Sequence, residues 1–276
     1  MEQNRFYEKR YFVHMAYHGY NYHGWQRQIN ATSVQQIMEE SLTKLLRSKI
    51  TCLGCGRTDA MVHASQYFFH FDFGPMLPSN LLFTLNKVLP DDIAVFDIIP
   101  MEGFPHAQYA AIERSYEYYI HTRKDPFLHK FSALYEEPSL DLTKMKQTVD
   151  ILPKYSDYSQ FCKSPDRNDD NFCNIATTKL FTNQKQDRVR FQITANRYIQ
   201  GMIRVIVRRL IDIGRGKLSV DEFEAILEGA IKPKKIVVAY PQGLYLTKIK
   251  YPFLELPSGS DFIGGTNNGD DYWTEC

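Results

Sequence analysis

The chain has 276 residues, 43% hydrophobic and 24% charged, with a formal net charge of +1. That length allows one large domain or two ordinary ones with a sizeable core. The near-neutral charge excludes a protein that is basic throughout, so any surface for nucleic acid has to be local. Five cysteines, an odd count, do not suggest a secreted disulfide framework. No apolar run approaches the ~20 residues of a membrane span. The opening residues 1–10 are polar and charged, unlike a secretory signal, and a cytoplasmic location is expected.

In chain order, residues 11–17 alternate like a strand. Ser33 offers an N-cap with Gln36 three residues on, and Val34, Ile37, Met38, Leu42, Leu45 and Leu46 follow on one helical face. Residues 50–55 form a short strand candidate. In residues 63–73, Tyr67, Phe69 and Phe71 alternate with Phe68, His70 and Asp72. Residues 79–88 read as a second helix stopped by Pro90, and residues 93–99 return as a strand. The order β-α-β-β-α-β is that of a ferredoxin-like unit.

The second half repeats the style less tidily. Residues 109–122 read as a long strand and residues 140–152 as a helix. Strands follow at 175–181 and 188–195, then a strong helix over 198–214, a smaller one over 220–228 and a last strand near 244–250. The expected fold class is α+β: two ferredoxin-like or RRM-like units with antiparallel sheets flanking a central cleft. The first spans residues 1–105 and the second 106–252. Residues 253–276, most of them in a stretch rich in Gly, Asn, Asp and Ser, are expected to form a disordered or loosely docked tail, and the polar loop 163–171 to be mobile.

For chemistry, the sharpest feature is Gly56-Arg57-Thr58-Asp59-Ala60, between two strand candidates. A carboxylate in such a loop can act as nucleophile or base, and a guanidinium two residues away can hold a phosphate or fill the space left by a flipped base. Composition alone is equally compatible with a solvated turn. Cys52 and Cys55 form a C-x-x-C without a second pair at metal-site spacing, and the histidines show no metal-like spacing. Neither a metal nor a cofactor is therefore assigned. Residues 197–217 carry six basic side chains against one acidic, Asp212, and with Lys232, Lys234 and Lys235 offer phosphate contacts that the net charge conceals.

The stretch Gly56-Arg57-Thr58-Asp59-Ala60-Met61-Val62-His63-Ala64 closely resembles the signature of the TruA family of tRNA pseudouridine synthases. Six further stretches resemble that family in order: Tyr17 to Gln28, Ser33-Val34-Gln35, Leu89 to Val95, Arg114-Ser115-Tyr116-Glu117-Tyr118, Ala195 to Arg204, and Gly243-Leu244-Tyr245-Leu246. The resemblance implies a cofactor-independent isomerase that turns uridine into pseudouridine at positions 38–40 of tRNA, and a homodimer with no membrane partner. Residue by residue, Asp59 matches the catalytic aspartate and Tyr116 the tyrosine that stacks on the target base. Arg204 matches a basic residue that pairs with the carboxylate, and Arg57 the arginine that holds the nucleotide out of its stack.

The chain departs from the family in four places. Met61 stands where the signature has Gly, His18 replaces an Asp, Gln108 replaces an Arg, and residues 198–201 lack the usual histidines. These departures leave a non-catalytic RNA-binding protein on the same scaffold as the alternative, and a metal-dependent hydrolase as a more distant one.

Overall fold

The structure, a computed structural model, describes residues 8–257, 259 and 272–276. It is an α+β protein of two compact units, Met1–Ile112 with Leu246–Asp261, and Glu113–Tyr245 with Phe262–Cys276. Among the described residues no helix is long and apolar enough to cross a membrane.

The first unit runs β1 (Lys9–Tyr17), α1 (Val34–Leu46), β2 (Leu53–Gly54), β3 (His63–Phe73), α2 (Leu81–Val88) and β4 (Ile93–Met101). Strand β1 pairs antiparallel with both β3 and β4, with Phe12 opposite His70 on one side and Ile99 on the other. The two-residue β2 pairs with β3, and β9 (Leu244–Lys250) is also a neighbour of β3. Strand β9 thus contributes Leu246–Lys250 to the first unit.

Helix α1 begins where Ser33 accepts a hydrogen bond from the Gln36 N–H at 3.3 Å, which satisfies one of the first-turn donors. It buries Val34, Met38 and Leu42, the apolar stripe of the sequence. Strand β3 departs from simple alternation because both of its faces are covered. Tyr67 and Phe69 lie against Trp25, with ring centroids 4.3 and 5.6 Å away. Phe68 stacks on His14 at 4.8 Å and meets the edge of Tyr251 at 5.4 Å. Apolar residues in succession are what a doubly covered strand requires.

His70, on that second face, is buried. Its Nδ1 accepts the Ala107 N–H at 3.1 Å, so an imidazolium would forfeit that bond. Burial first, then the Arg10 charge and His106, push its pKa from 6.5 down to about 4. Above pH 6.5 the ring is neutral folded or unfolded. As pH falls through 6.5 the unfolded chain takes up a proton that the folded one refuses, so stability declines toward pH 4 and no further below it. The loss is on the order of 2–3 kcal/mol. His106 and His121, also lowered, add to it in the same direction. Urea midpoints between pH 7 and pH 4 are expected to fall, and His70→Asn, which keeps an acceptor but cannot titrate, to flatten the fall. An unchanged pH profile in that variant would contradict the assignment.

The second unit contains β5 (Glu113–His121), β6 (Ala133–Leu134), α3 (Leu142–Ile151), β7 (Ile175–Thr182), β8 (Arg188–Ala195), α4 (Met202–Gly214), α5 (Val220–Leu227) and β10 (Thr274–Glu275). Its strand order is β10-β7-β8-β5, with β6 parallel to β5. Val189, Phe191, Ile193 and Ala195 are buried on one face of β8 while their neighbours are half-exposed. Helix α3 packs on α4 and β7. Helix α4 buries Met202, Ile203, Val205, Ile206, Val207 and Leu210. Ser219 and Glu222 close a complete capping box on α5.

One outcome differs from the sequence expectations. Helix α4 starts at Met202, not 198, because Gly201 takes a left-handed φ of +77° that no helix continues through. Within the expected tail, residues 258 and 260–271 lie outside the described residues. At its far end, however, Thr274–Glu275 pairs with Thr182 and Phe181 of β7. Trp273 lies over the Arg190 guanidinium at 5.2 Å, giving this polar stretch an aromatic anchor. The loop at 163–171 is laced by hydrogen bonds, among them Asn168 to Asn171 at 2.7 Å and the Asn171 side-chain amide to the Pro165 carbonyl at 3.3 Å.

Candidate active site

Asp59 lies on the loop between β2 and β3, half-exposed, and the backbone around it is fixed residue by residue. The Cys55 N–H bonds the Phe68 carbonyl at 2.8 Å. Tyr67 donates its hydroxyl to the Gly56 carbonyl at 2.5 Å. The Thr58 hydroxyl meets the Tyr17 hydroxyl at 2.9 Å and accepts the Trp25 N–H at 3.1 Å. Past Asp59, the Met61 N–H reaches the Tyr22 carbonyl at 3.0 Å and the Val62 N–H the Asp59 carbonyl at 3.2 Å. Thr58 is the residue the motif reading missed. Its hydroxyl ties the Asp59 loop to the first strand and to the turn after it.

Met61, the departure from the family's glycine, takes a φ of +63°. The residue adopts the left-handed conformation although it has a Cβ, at about 1–2 kcal/mol, and its N–H bond to the Tyr22 carbonyl helps hold it there. Arg57, two residues before Asp59, is exposed and makes no ion pair among the described residues. Its guanidinium is available for an anionic ligand.

Tyr116 and Arg204 belong to the second unit. The Tyr116 ring, only 8% exposed, stands edge-on to Tyr198 with centroids 5.1 Å apart. Tyr198 directs its own hydroxyl to the Ile193 carbonyl at 3.0 Å and the Arg114 carbonyl at 3.2 Å, and burial raises its pKa well above the usual phenol range. Its ring fixes the plane of Tyr116. Arg204 is half-exposed on the flank of α4, its Nε donating to the Ala239 carbonyl at 2.8 Å. The four site residues named from sequence therefore divide into two pairs: Arg57 and Asp59 share a loop of the first unit, while Tyr116 and Arg204 lie in the second.

The basic stretch over 197–217 offers fewer phosphate contacts than its composition suggests. Arg197 pairs with Asp170 at 2.9 Å, Arg208 with Asp212 at 3.0 Å and Arg215 with Glu137 at 2.5 Å. Cys52, Cys55, Cys162 and Cys173 are buried free thiols, and burial raises the Cys52 pKa well above its ordinary value. Among the described residues no group of three or more His, Cys, Asp or Glu side chains is placed to hold a metal ion.

An α+β scaffold that presents residues 56–60 as a pinned, carboxylate-bearing loop ahead of its longest strand has the form of a pseudouridine synthase. A family model described as tRNA pseudouridine synthase matches residues 155–252. Over 246 residues, 88% of this chain and 97% of the relative, the sequence is 41% identical to tRNA pseudouridine synthase A of Azobacteroides pseudotrichonymphae genomovar. CFP2. It is 36% and 37% identical to the proteins of that name from Porphyromonas gingivalis and Bacteroides fragilis, again over 88% of this chain and 97% of each relative. The chain belongs to the tRNA pseudouridine synthase A family, a family of isomerases.

Proposed function

We propose that this protein isomerises uridine to pseudouridine in the anticodon arm of tRNA, at positions 38, 39 and/or 40, as a cytoplasmic homodimer. The reaction breaks the N1–C1′ bond, turns the uracil and joins C5 to C1′, while the hydrogen at C5 leaves and N1 gains one. Substrate and product are isomers, so the chemistry asks for a positioned carboxylate and a held base. Asp59 is assigned the role of trapping or stabilising C1′, or of removing a ribose proton. Arg57 holds the target nucleotide out of its stack. Tyr116 stacks on the everted base, contributing about 1–3 kcal/mol against the few kcal/mol of unstacking. Arg204 is assigned to the carboxylate.

The observation that carries this proposal is the pinned loop: Tyr17, Trp25, Tyr67 and Tyr22 all hold the backbone that presents Asp59. A non-catalytic RNA-binding role gains no support from Met61, because the residue takes a left-handed turn there without glycine. Carbodiimide mapping of tRNA from cells with and without this protein tests the target. Loss of signal at one or more of positions 38–40 is expected, and signals unchanged at all three would overturn the site of action.

A further inference from the structure

We propose that Tyr240 is a further substrate-binding side chain of this enzyme, an aromatic platform on which an unpaired base of the tRNA beside the target uridine stacks. The inference rests on the function proposed above and adds a residue that no motif indicated. The main chain of Tyr240 is clamped on both sides. Its carbonyl accepts the Tyr118 hydroxyl at 2.6 Å, and its N–H donates to the Tyr135 hydroxyl at 3.1 Å. Both of those tyrosines are buried. Pro241 follows and restricts Tyr240 to an extended backbone, with φ −59° and ψ 141°. At the end of the same turn, a Cβ added to Gly243 would stand 2.7 Å from the Tyr119 carbonyl oxygen and 2.8 Å from the Tyr118 ring. The turn is therefore pressed directly onto β5.

The ring on this mount is 54% exposed. Tyr135 backs it, with centroids 5.1 Å apart and 31° between the planes. The clamp uses only main-chain atoms and asks nothing of the ring. A tyrosine has two side-chain torsions, so a backed ring offers contact area at a small loss of entropy. The position adjoins a residue already assigned to the reaction. Ala239, the neighbour of Tyr240, is bonded twice to Arg204: its N–H donates to the Arg204 carbonyl at 2.8 Å, and Arg204 Nε donates to its carbonyl at 2.8 Å. Burial raises the Tyr118 pKa well above the phenol range and the Arg204 charge opposes that rise, so the guanidinium stands near the clamp. The loop leading to the turn carries Lys232, Lys234 and Lys235, all exposed. Cations for phosphates next to an aromatic ring for a base are what a surface for single-stranded nucleic acid combines.

The test uses the full chain and an unmodified tRNA transcript. Dissociation constants are measured across a series of KCl concentrations, and turnover by tritium release from C5-labelled uridine. Tyr240→Ala is expected to weaken binding about ten-fold and to leave the slope of log Kd against log salt unchanged, because no cation is removed. The loss should fall on KM rather than kcat. Tyr240→Phe should bind like the wild type. Tyr240→Trp should also keep its affinity, and the transcript should quench the added indole beyond the change that Trp25 and Trp273 give in the wild type. A Tyr240→Ala protein within about two-fold of wild-type affinity would overturn the proposal. So would a Tyr240→Phe protein as weak as Tyr240→Ala, which would assign the effect to the hydroxyl, or a loss confined to kcat, which would mean that the substitution acts through Arg204. A wild-type protein that binds the transcript but releases no tritium would overturn the enzymatic assignment instead, while the binding series would still decide on Tyr240.

Discussion

Replacing Asp59 with asparagine is expected to abolish pseudouridine formation while leaving the fold and tRNA affinity nearly intact. The substitution is close to isosteric, and the loop's backbone is held by other groups. The Val62 N–H bonds the Asp59 main-chain carbonyl, and Thr58 anchors the loop through its own hydroxyl. What is lost is the only side chain of the loop able to trap or stabilise C1′ or to accept a ribose proton. An amide is a far poorer nucleophile and base, and loss of a sole nucleophile or base lowers turnover by on the order of 10⁴-fold or more. Binding relies on other groups, and removing a negative charge from a surface that meets phosphates does not weaken it. Single-turnover tritium release, thermal melting and a tRNA titration on the same preparation separate these effects. Turnover within about ten-fold of wild type would remove Asp59 from the mechanism, because catalysis by a general electrostatic field would survive the loss of one carboxylate better than covalent or base chemistry would.

Part of this structure was plain in the residues. Strict alternation over Val189, Phe191, Ile193 and Ala195 matches the bounds of β8, and the apolar stripe of α4 marked Met202, Ile203, Ile206, Val207 and Leu210, which are buried, but not Val205, Ile211 and Ile213, which are buried as well. The four site residues came from motif resemblance, and periodicity would not have found them. What stayed hidden depends on contacts distant in sequence. The start of α4 was misplaced because the stripe continues backward through Ile199 and Tyr198, both apolar enough to extend it, while Gly201 turns the chain by a backbone angle that composition does not announce. The basic run over 197–217 looked like a phosphate surface because Asp170 and Glu137, which neutralise Arg197 and Arg215, lie far away in the chain. The terminal pairing of Thr274–Glu275 rests on Trp273 finding Arg190, an encounter that a Gly- and Asp-rich neighbourhood conceals. Thr58 was passed over as a spacer in the motif, although its hydroxyl joins two elements to the loop.

The same reasoning about contacts distant in sequence makes Gly24→Ala the second large effect. Gly24 has a φ of +81°, and a Cβ there would lie 2.1 Å from the Thr58 carbonyl oxygen and 3.1 Å from the Asp59 carbonyl carbon. The loop assigned to catalysis thus rests directly on the bare Cα of Gly24. The next residue holds the loop as well, through the Trp25 N–H to the Thr58 hydroxyl. A methyl group cannot share that space with a backbone oxygen, so the Thr58–Asp59 peptide has to retreat by roughly 1 Å to reach ordinary contact. Overpacking of this kind costs about 1–3 kcal/mol, with about 1–2 kcal/mol more for the left-handed backbone. A shift of that size at the reacting group lowers kcat by about 10²-fold. Gly103→Ala supplies the control, since Gly103 also has a positive φ, +72°, but nothing within 4 Å of an added Cβ. It should lose a little stability and no activity. If Gly24→Ala behaves like Gly103→Ala in both melting temperature and turnover, the loop is not seated on Gly24. If kcat falls while Kd for tRNA holds, the position of the Asp59 carboxylate, rather than its presence alone, sets the rate.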